Sequence, residues 1–270
     1  MAVRGFARSI LFYALCCLAG CGTPAPIVLP SGAGMPFPGF TDAYRQATTA
    51  CAGVRTMSAS LSLSGRAGKT RIAARVDAAF AEPADLRLEG FPRVSFGGKP
   101  FFILASHEGA ATLVLPRDGR VLRGEPPAAI LEALAGVALA PAELRAIVAG
   151  CGVSVAQPSA GRMFPGGWAA LDIADATLFL RQVDGRWQVA AARRGAITIE
   201  YANVIAGRPA TVRVRTAPAD GGAASDLTIR VSQVDINTPL EPAVFDVEVP
   251  RDAVPLTLDA LRGAGPLGGS

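Results

Sequence analysis

The sequence has one histidine, His107, and only two lysines, Lys69 and Lys99, among 26 basic residues. It contains no G-x-S-x-G, P-loop or H-E-x-x-H motif, and no run reaches the roughly 18 apolar residues of a spanning helix. These shortages argue against a histidine-based catalytic site, a metal centre, a lysine-rich tract for nucleic acid and a helical span. We therefore expect a protein that is not an enzyme and needs no metal or cofactor.

The first 20 residues have the features of an export signal. Arg4 and Arg8 precede an uncharged, mostly apolar stretch over 10–20, which is too short for a spanning helix of about 20 residues. Leu18-Ala19-Gly20-Cys21 resembles the lipobox of bacterial lipoproteins. An ordinary secretory cleavage site beside a chance cysteine is the alternative.

The lipobox resemblance implies that residues 1–20 are removed and that Cys21 receives covalent lipid, fatty-acyl chains such as palmitate. Several acyl chains anchor a protein stably, so the mature chain would be attached to a membrane without crossing it. Gly22 follows the anchor in place of an aspartate, which by the same resemblance indicates the outer membrane, facing the periplasm.

Two thiols, Cys51 and Cys151, would remain in the globular part. Because the periplasm is oxidising, an even pair predicts a disulfide, here closing a loop of about 100 residues. Two free, buried thiols are the alternative. A zinc site is disfavoured, since two thiols and one histidine supply too few ligands.

Residues 21–41 read as the lipidated cysteine followed by a tether rich in proline and glycine. Fully extended, such a tether would hold the domain up to roughly 60 Å from the bilayer. Without Arg4 and Arg8 the mature chain has a net charge of only about +2, which is too little to suggest nucleic-acid binding. We expect one folded domain over 42–262 and a flexible tail over 263–270.

Strand patterns fill most of that domain. The stretch 57–64 alternates Met, Ala and Leu with serine, and similar patterns recur along the chain to 237. Short strands are also expected over 153–157 and 244–249. His107-Glu108-Gly109, Asp118-Gly119 and Asp184-Gly185 mark hairpin turns.

The stretch 127–149 has helical spacing instead. Pro127 and Pro141 suit helix starts, and Gly136 and Gly150 suit helix ends. Two short apolar helices are therefore expected inside a curled antiparallel sheet, and the concave face of the sheet is the natural place to bury them. A further helix is expected over 43–51, capped by Asp42, and a last one near 256–262.

This order of elements resembles the LolA/LolB fold, a half-open β-barrel of about 11 antiparallel strands with a helical lid. The ending "DINTPLEPAVFDVEVP" followed by "PLTLDALR" is similar to that of related lipoproteins. The resemblance implies a mainly β fold with inserted helices and a hydrophobic cavity that receives acyl chains of lipoproteins or lipids. It also implies a LolB-like acceptor role and, as partner, a LolA-like periplasmic carrier.

On this interpretation, one set of side chains lines the ligand cavity and another lines the lid. The cavity set is Leu61, Leu63, Ile72, Val76, Phe80, Leu86 and Leu88, and the lid set is Ile130, Leu131, Leu134, Leu144, Ile147 and Val148. The same alternation is also how any sheet builds a core, so ordinary packing is the alternative for every residue of both sets.

LolB also carries an exposed hydrophobic loop between two early strands. The segment 90–102 occupies a similar place, and Phe91, Val94 and Phe96 would form its membrane-facing tip. A hairpin whose aromatic side chains pack inward is the alternative.

Two functions fit these observations. One is an anchored carrier or acceptor of acylated ligands; the other is a structural or interaction lipoprotein of an envelope assembly with a filled core. An empty apolar cavity of several hundred Å³ under 127–149 would favour the carrier.

Overall fold

The computed structural model describes residues 27–93, 98–217 and 224–265. Signal residues 1–20 and Cys21 lie outside the described residues. So do Val94 and Phe96 of the predicted loop and most of the predicted tail.

The described residues form one sheet of 15 strands. The strands are β1 Met35–Pro36, β2 Thr56–Ala67, β3 Thr70–Ala81, β4 Asp85–Pro92, β5 Phe102–His107, β6 Ala110–Leu115, β7 Arg120–Arg123, β8 Ala160–Phe164, β9 Trp168–Ile173, β10 Ala176–Val183, β11 Arg186–Arg194, β12 Ile197–Ile205, β13 Arg208–Thr216, β14 Ser225–Ile236 and β15 Val254–Pro255. The mainly β class is confirmed, whereas the predicted number of about 11 strands is too low.

Four α-helices and one 3₁₀ helix accompany the sheet in the described residues. They are α1 Phe40–Thr48, α2 Pro127–Ala135, α3 Pro141–Ala149, the 3₁₀ helix Pro242–Phe245 and α4 Leu258–Ala264. No helix in this part of the chain is long and apolar enough to cross a membrane.

The sheet consists of two meanders joined in the middle. Strands β2 to β7 pair in sequence, as do β8 to β14, and β14 pairs with β2 to unite them. All pairs are antiparallel except that of β15 with β7. The short strands β1 and β15 form the two edges, so the sheet is open.

Side chains that share one cavity show that the sheet is curled. Phe102 on β5 and Val214 on β13 line the same cavity, although four strands separate them in the sheet. In a flat sheet five strand spacings would put them about 24 Å apart. The predicted half-open, curled barrel is therefore confirmed.

The alternation in β2 sorts its residues as the sequence predicts. Met57, Ala59 and Leu61 are buried on the concave face, and the serines between them are less buried. One large hydrophobic core lies on that concave face, against the helices.

Part of the predicted tether lies on the sheet. Leu29 packs against a small cluster on the opposite face that contains Phe164 and Phe179. Met35 and Pro36 pair with β8. The chain is therefore held against the domain from about residue 29, and the reach of 60 Å expected for a free tether is wrong.

Three local predictions are wrong. Residues 153–157 form no strand, and 244–249 begin inside the 3₁₀ helix instead of a strand. Arg87 explains the latter, because its guanidinium donates to the carbonyls of Val244 and Asp246 at 3.0 and 2.6 Å and holds this segment over β4. The first helix begins at Phe40, so Asp42 lies in its first turn and pairs with Arg45 instead of capping it.

Candidate functional site

The strand order explains why helices cover the concave face. The strands β7 and β8 are consecutive in the sequence but lie near opposite edges of the sheet. The chain between them must therefore cross the mouth of the half-barrel, and it does so as α2 and α3. Gly136 and Gly150 end these helices in the left-handed conformation with φ of 71° and 99°, as their sequence positions predict.

An apolar cavity of about 90 Å³ lies between these helices and the sheet. Its walls consist only of apolar side chains. The sheet contributes Leu61, Leu63, Val76, Leu88, Phe102, Val214, Leu227 and Ile229, and the lid contributes Leu131, Leu134, Ala135, Val137, Leu139 and Leu144.

Seven of the 13 residues predicted for the cavity and the lid line this space. They are Leu61, Leu63, Val76 and Leu88 on the sheet and Leu131, Leu134 and Leu144 on the lid. The other six are buried in the same core and do not line the cavity: Ile72, Phe80, Leu86, Ile130, Ile147 and Val148. The spacing of the apolar residues identified the face of each strand or helix that is buried in the core. It did not identify the position along the strand or helix at which the cavity lies.

The second meander supplies lining residues that the sequence-based set omits. Val214 lies on β13, and Leu227 and Ile229 lie on β14. Both strands alternate clearly in the sequence. The sequence therefore showed that these residues face the core. Only the pairing of β14 with β2, however, places them in the same wall of the cavity as Leu61.

Glycine at position 90 admits the largest of the lining side chains. Gly90 and Phe102 are paired across β4 and β5. A Cβ at position 90 would lie 2.0 Å from Cε1 of the Phe102 ring. Only glycine leaves room for the ring in this position.

The C-terminal end of α3 is fixed to the rest of the domain. The predicted disulfide between Cys51 and Cys151 is confirmed, with the Cα atoms 5.6 Å apart. The hydroxyl of Tyr201 donates to the carbonyl of Ile147 at 3.1 Å and accepts from the N–H of Gly152 at 3.0 Å. Burial raises the pKa of Tyr201, and the hydrogen bond from Gly152 opposes this shift, so the phenol stays neutral.

Polar contacts hold the remainder of the lid. Glu143 pairs with Arg194 on β11 and also accepts from the N–H of Ala140 at 2.7 Å. Arg145 pairs with Glu82 at 3.3 Å. Burial lowers the pKa of Arg145, and the nearby carboxylate of Glu82 opposes that shift.

The helix α2 has fewer polar contacts. Glu132 pairs with Arg262 of α4 at 3.5 Å, with both side chains about half exposed. Exposed ion pairs contribute at most about 1 kcal/mol. The lid therefore has one fixed end, at the disulfide, and one end held by weak polar contacts.

Of the three residues predicted at the membrane-facing tip, Phe91 is among the described residues. It lies on β4, and the guanidinium of Arg75 lies 4.5 Å from the centre of its ring. This cation–π contact holds Phe91 against the sheet. The remaining two residues of that prediction, Val94 and Phe96, are outside the described residues.

The one histidine lies at the predicted turn. His107 Nδ1 lies 3.1 Å from a carboxylate oxygen of Asp85, and its ring stacks on Phe245 at 6.5 Å. Within the described ranges no three His, Cys, Asp or Glu side chains gather as a metal site would require.

No protein-family profile and no curated protein sequence matches the chain. Solved structures do match in overall shape. A LolA superfamily protein from Nitrosomonas europaea has a TM-score of 0.48 at 12% identity, and the match covers 76% of this chain and 94% of that one. A putative outer membrane lipoprotein-sorting protein domain from Vibrio parahaemolyticus has a TM-score of 0.46 at 13% identity, covering 76% and 95%.

The lipoprotein LppX from Mycobacterium tuberculosis is also similar, with a TM-score of 0.32 at 11% identity, covering 76% of this chain and 98% of that one. At such low identities and scores, these similarities carry no statement about ligand or role. Among solved structures, the chain is similar to the LolA superfamily and to lipoprotein-sorting domains, the group that its sequence resembles.

Proposed function

We propose that this chain is an envelope lipoprotein that receives acyl chains of lipids or lipoproteins between its curled sheet and its helical lid. The observation that carries this proposal is the cavity itself, whose lining is entirely apolar. An apolar site without a polar group suits a hydrocarbon chain and offers nothing to a polar ligand.

The small size of the cavity means that the lid must move before a long acyl chain can bind. At about 90 Å³ it is smaller than the several hundred Å³ expected from the sequence and than the roughly 300–1,000 Å³ of ordinary ligand pockets. It has room for only a few methylene groups, so a longer chain enters only when the lid moves. The disulfide and Tyr201 fix the C-terminal end of α3, so we expect α2 and the segment 136–140 to move away from the sheet.

Membrane attachment through acylated Cys21 completes the proposal. The support is the lipobox sequence Leu18-Ala19-Gly20-Cys21, and Gly22 favours the outer membrane. In this setting the chain has a LolB-like role: it accepts an acylated lipoprotein from a LolA-like periplasmic carrier and releases it into the bilayer. No metal, cofactor or catalytic step is required.

Filling the cavity without adding a polar group tests acyl binding. Ala135 lies at the end of α2 and lines the cavity. We expect Ala135→Phe to abolish binding of a fluorescent fatty acid and co-purification of lipid, measured by mass spectrometry. Ala142→Phe is the matched control, because Ala142 lies on α3 facing a different groove, beside Arg145, and it should bind as the parent does.

One observation favours a second function. The cavity is small, at about 90 Å³, which suits a structural or interaction lipoprotein of an envelope assembly. If the parent protein binds no fatty acid and carries no lipid, and Ala135→Phe behaves like Ala142→Phe, the carrier function is wrong and the structural function stands.

A further inference from the structure

Three hairpins of the second meander end at the same side of the sheet. Their last pairs are Phe164 with Trp168, Val183 with Arg186, and Ile205 with Arg208. Because antiparallel strands alternate in direction, the tips of β8–β9, β10–β11 and β12–β13 lie together. The N–H of Gln182 donates to the carbonyl of Gly167 at 2.9 Å, which joins the first two tips directly. We call this side of the sheet the tip end.

Exposed apolar side chains gather at the tip end. Among the described residues seven large hydrophobic side chains are exposed, and five of them are Val28, Met35, Val183, Val204 and Ile205. The last two are adjacent in the β12–β13 hairpin and are 43% and 68% exposed. A cluster of this kind marks an interaction surface, whereas single exposed residues do not.

The N-terminal segment reaches the sheet at this same end. Leu29 and Trp168 both pack against the small cluster that contains Phe164, and Met35 pairs with Met163, next to the first tip. Val28 is only seven positions after Cys21 in the sequence, a reach of at most about 25 Å. A lipid on Cys21 therefore keeps the tip end close to the bilayer.

The charges around the tips suit an anionic surface. Over the tips themselves, 164–168, 181–186 and 203–208, the arginines Arg181, Arg186 and Arg208 accompany a single acidic residue, Asp184. Arg181 lies 5.4 Å from the centre of the Trp168 ring. Tryptophan and arginine together are typical of a membrane interface, where the ring lies at headgroup depth and the cation meets lipid phosphate.

We propose that the tip end of the sheet rests on the lipid bilayer, with Val204 and Ile205 inserted at headgroup depth. The three arginines then face anionic headgroups. This orientation rests on the proposed acylation of Cys21. It places the end of β4 at Pro92 and the start of β5 at Phe102, between which the membrane-facing loop is predicted, at the opposite end of the sheet and away from that bilayer.

Photolabelling of the full, acylated chain tests the orientation. The protein is reconstituted into phosphatidylcholine vesicles, with and without phosphatidylglycerol, that contain a phospholipid with a diazirine in its acyl tail. We expect adducts on the peptide that carries Ile205 to exceed those on the peptide that carries Val254 about tenfold, since membrane burial of one large aliphatic side chain favours contact by at least that factor. Val254 is 58% exposed but pairs with Arg120, at the other end of the sheet.

Two matched variants complete the test. Ile205→Asp should remove the adducts at the tip, while Val254→Asp leaves them unchanged. Arg208→Gln should lower the gain from phosphatidylglycerol about fivefold. Three outcomes would each overturn the orientation. The two ends could be labelled equally, or labelling could be concentrated on the turns at 68–69 and 116–119. The tip could also carry no adducts because a protein partner covers it.

The same labelling experiment distinguishes the orientation on the membrane from acyl binding in the cavity. Adducts on the peptide that carries Leu134 report on the cavity, and Ala135→Phe removes only those. If the intact mass shows no acyl group on Cys21, the orientation falls while cavity labelling can still be read.

Discussion

Removal of one hydroxyl group, in Tyr201→Phe, should destabilise the domain. The Tyr201 side chain is buried, and its hydroxyl accepts from the Gly152 N–H and donates to the Ile147 carbonyl. Without it the buried Gly152 N–H loses its partner, whereas the Ile147 carbonyl still accepts from the N–H of Gly150 at 3.1 Å. From the cost of one orphaned buried donor we expect a loss of about 1–3 kcal/mol in the free energy of unfolding.

Tyr44→Phe is the matched control. The Tyr44 hydroxyl is also buried, but among the described residues it has no hydrogen-bond partner. Its removal costs no hydrogen bond and relieves the burial of a polar group. We expect a change between zero and a gain of about 1 kcal/mol.

Urea unfolding with the disulfide intact measures both variants. The midpoint should fall for Tyr201→Phe at an unchanged slope, since the same surface is exposed on unfolding. If the two variants differ by less than about 0.5 kcal/mol, the hydroxyl of Tyr201 does not hold the lid, and the reasoning about a fixed end of α3 is refuted.

Three further predictions concern the same region. Replacing Cys51 and Cys151 by alanine should cost up to about 4.7 kcal/mol in the free energy of unfolding, because the closed loop spans about 100 residues; a reductant should affect the parent only. Gly90→Ala should cost about 1–3 kcal/mol through its clash with the Phe102 ring, and Phe102→Leu in the same chain should restore most of the loss of thermal stability. Since burial raises the pKa of Tyr201, the unfolded chain loses this proton first, so the contribution of Tyr201 to stability should be constant below about pH 10 and decline above it. A pH series of urea midpoints measures this decline, and it should be smaller in Tyr201→Phe.

Local signals in the sequence predicted local structure well. Gly136 and Gly150 end the lid helices as expected, because a left-handed helix end strongly favours glycine whatever surrounds it. The turns at Glu108-Gly109 and Asp184-Gly185 also lie where expected, since a two-residue hairpin requires φ > 0 at these positions.

Contacts between segments that are distant in the sequence could not be predicted from such local patterns. Asn237 accepts from the N–H of Arg55 at 2.8 Å and donates to the carbonyl of Gly53 at 2.9 Å. In the sequence it reads only as a turn residue before Pro239. The same holds for Tyr201, whose partners lie more than 48 residues away. Which wall a side chain reaches depends on strand pairing across the whole chain, and no short pattern encodes it.

The pairing of β14 with β2 has a consequence for biogenesis. Ser60 and Gln233, which contact each other across this seam, are 173 residues apart in the chain. Until β14 emerges, β2 presents a bare row of amide and carbonyl groups that can recruit another polypeptide. Native contacts of such high sequence separation also form slowly. On the proposed export of the chain in an unfolded state, this hazard would be postponed until the whole chain has been translocated. A periplasmic chaperone that shields β2 would then protect the chain during the interval that follows.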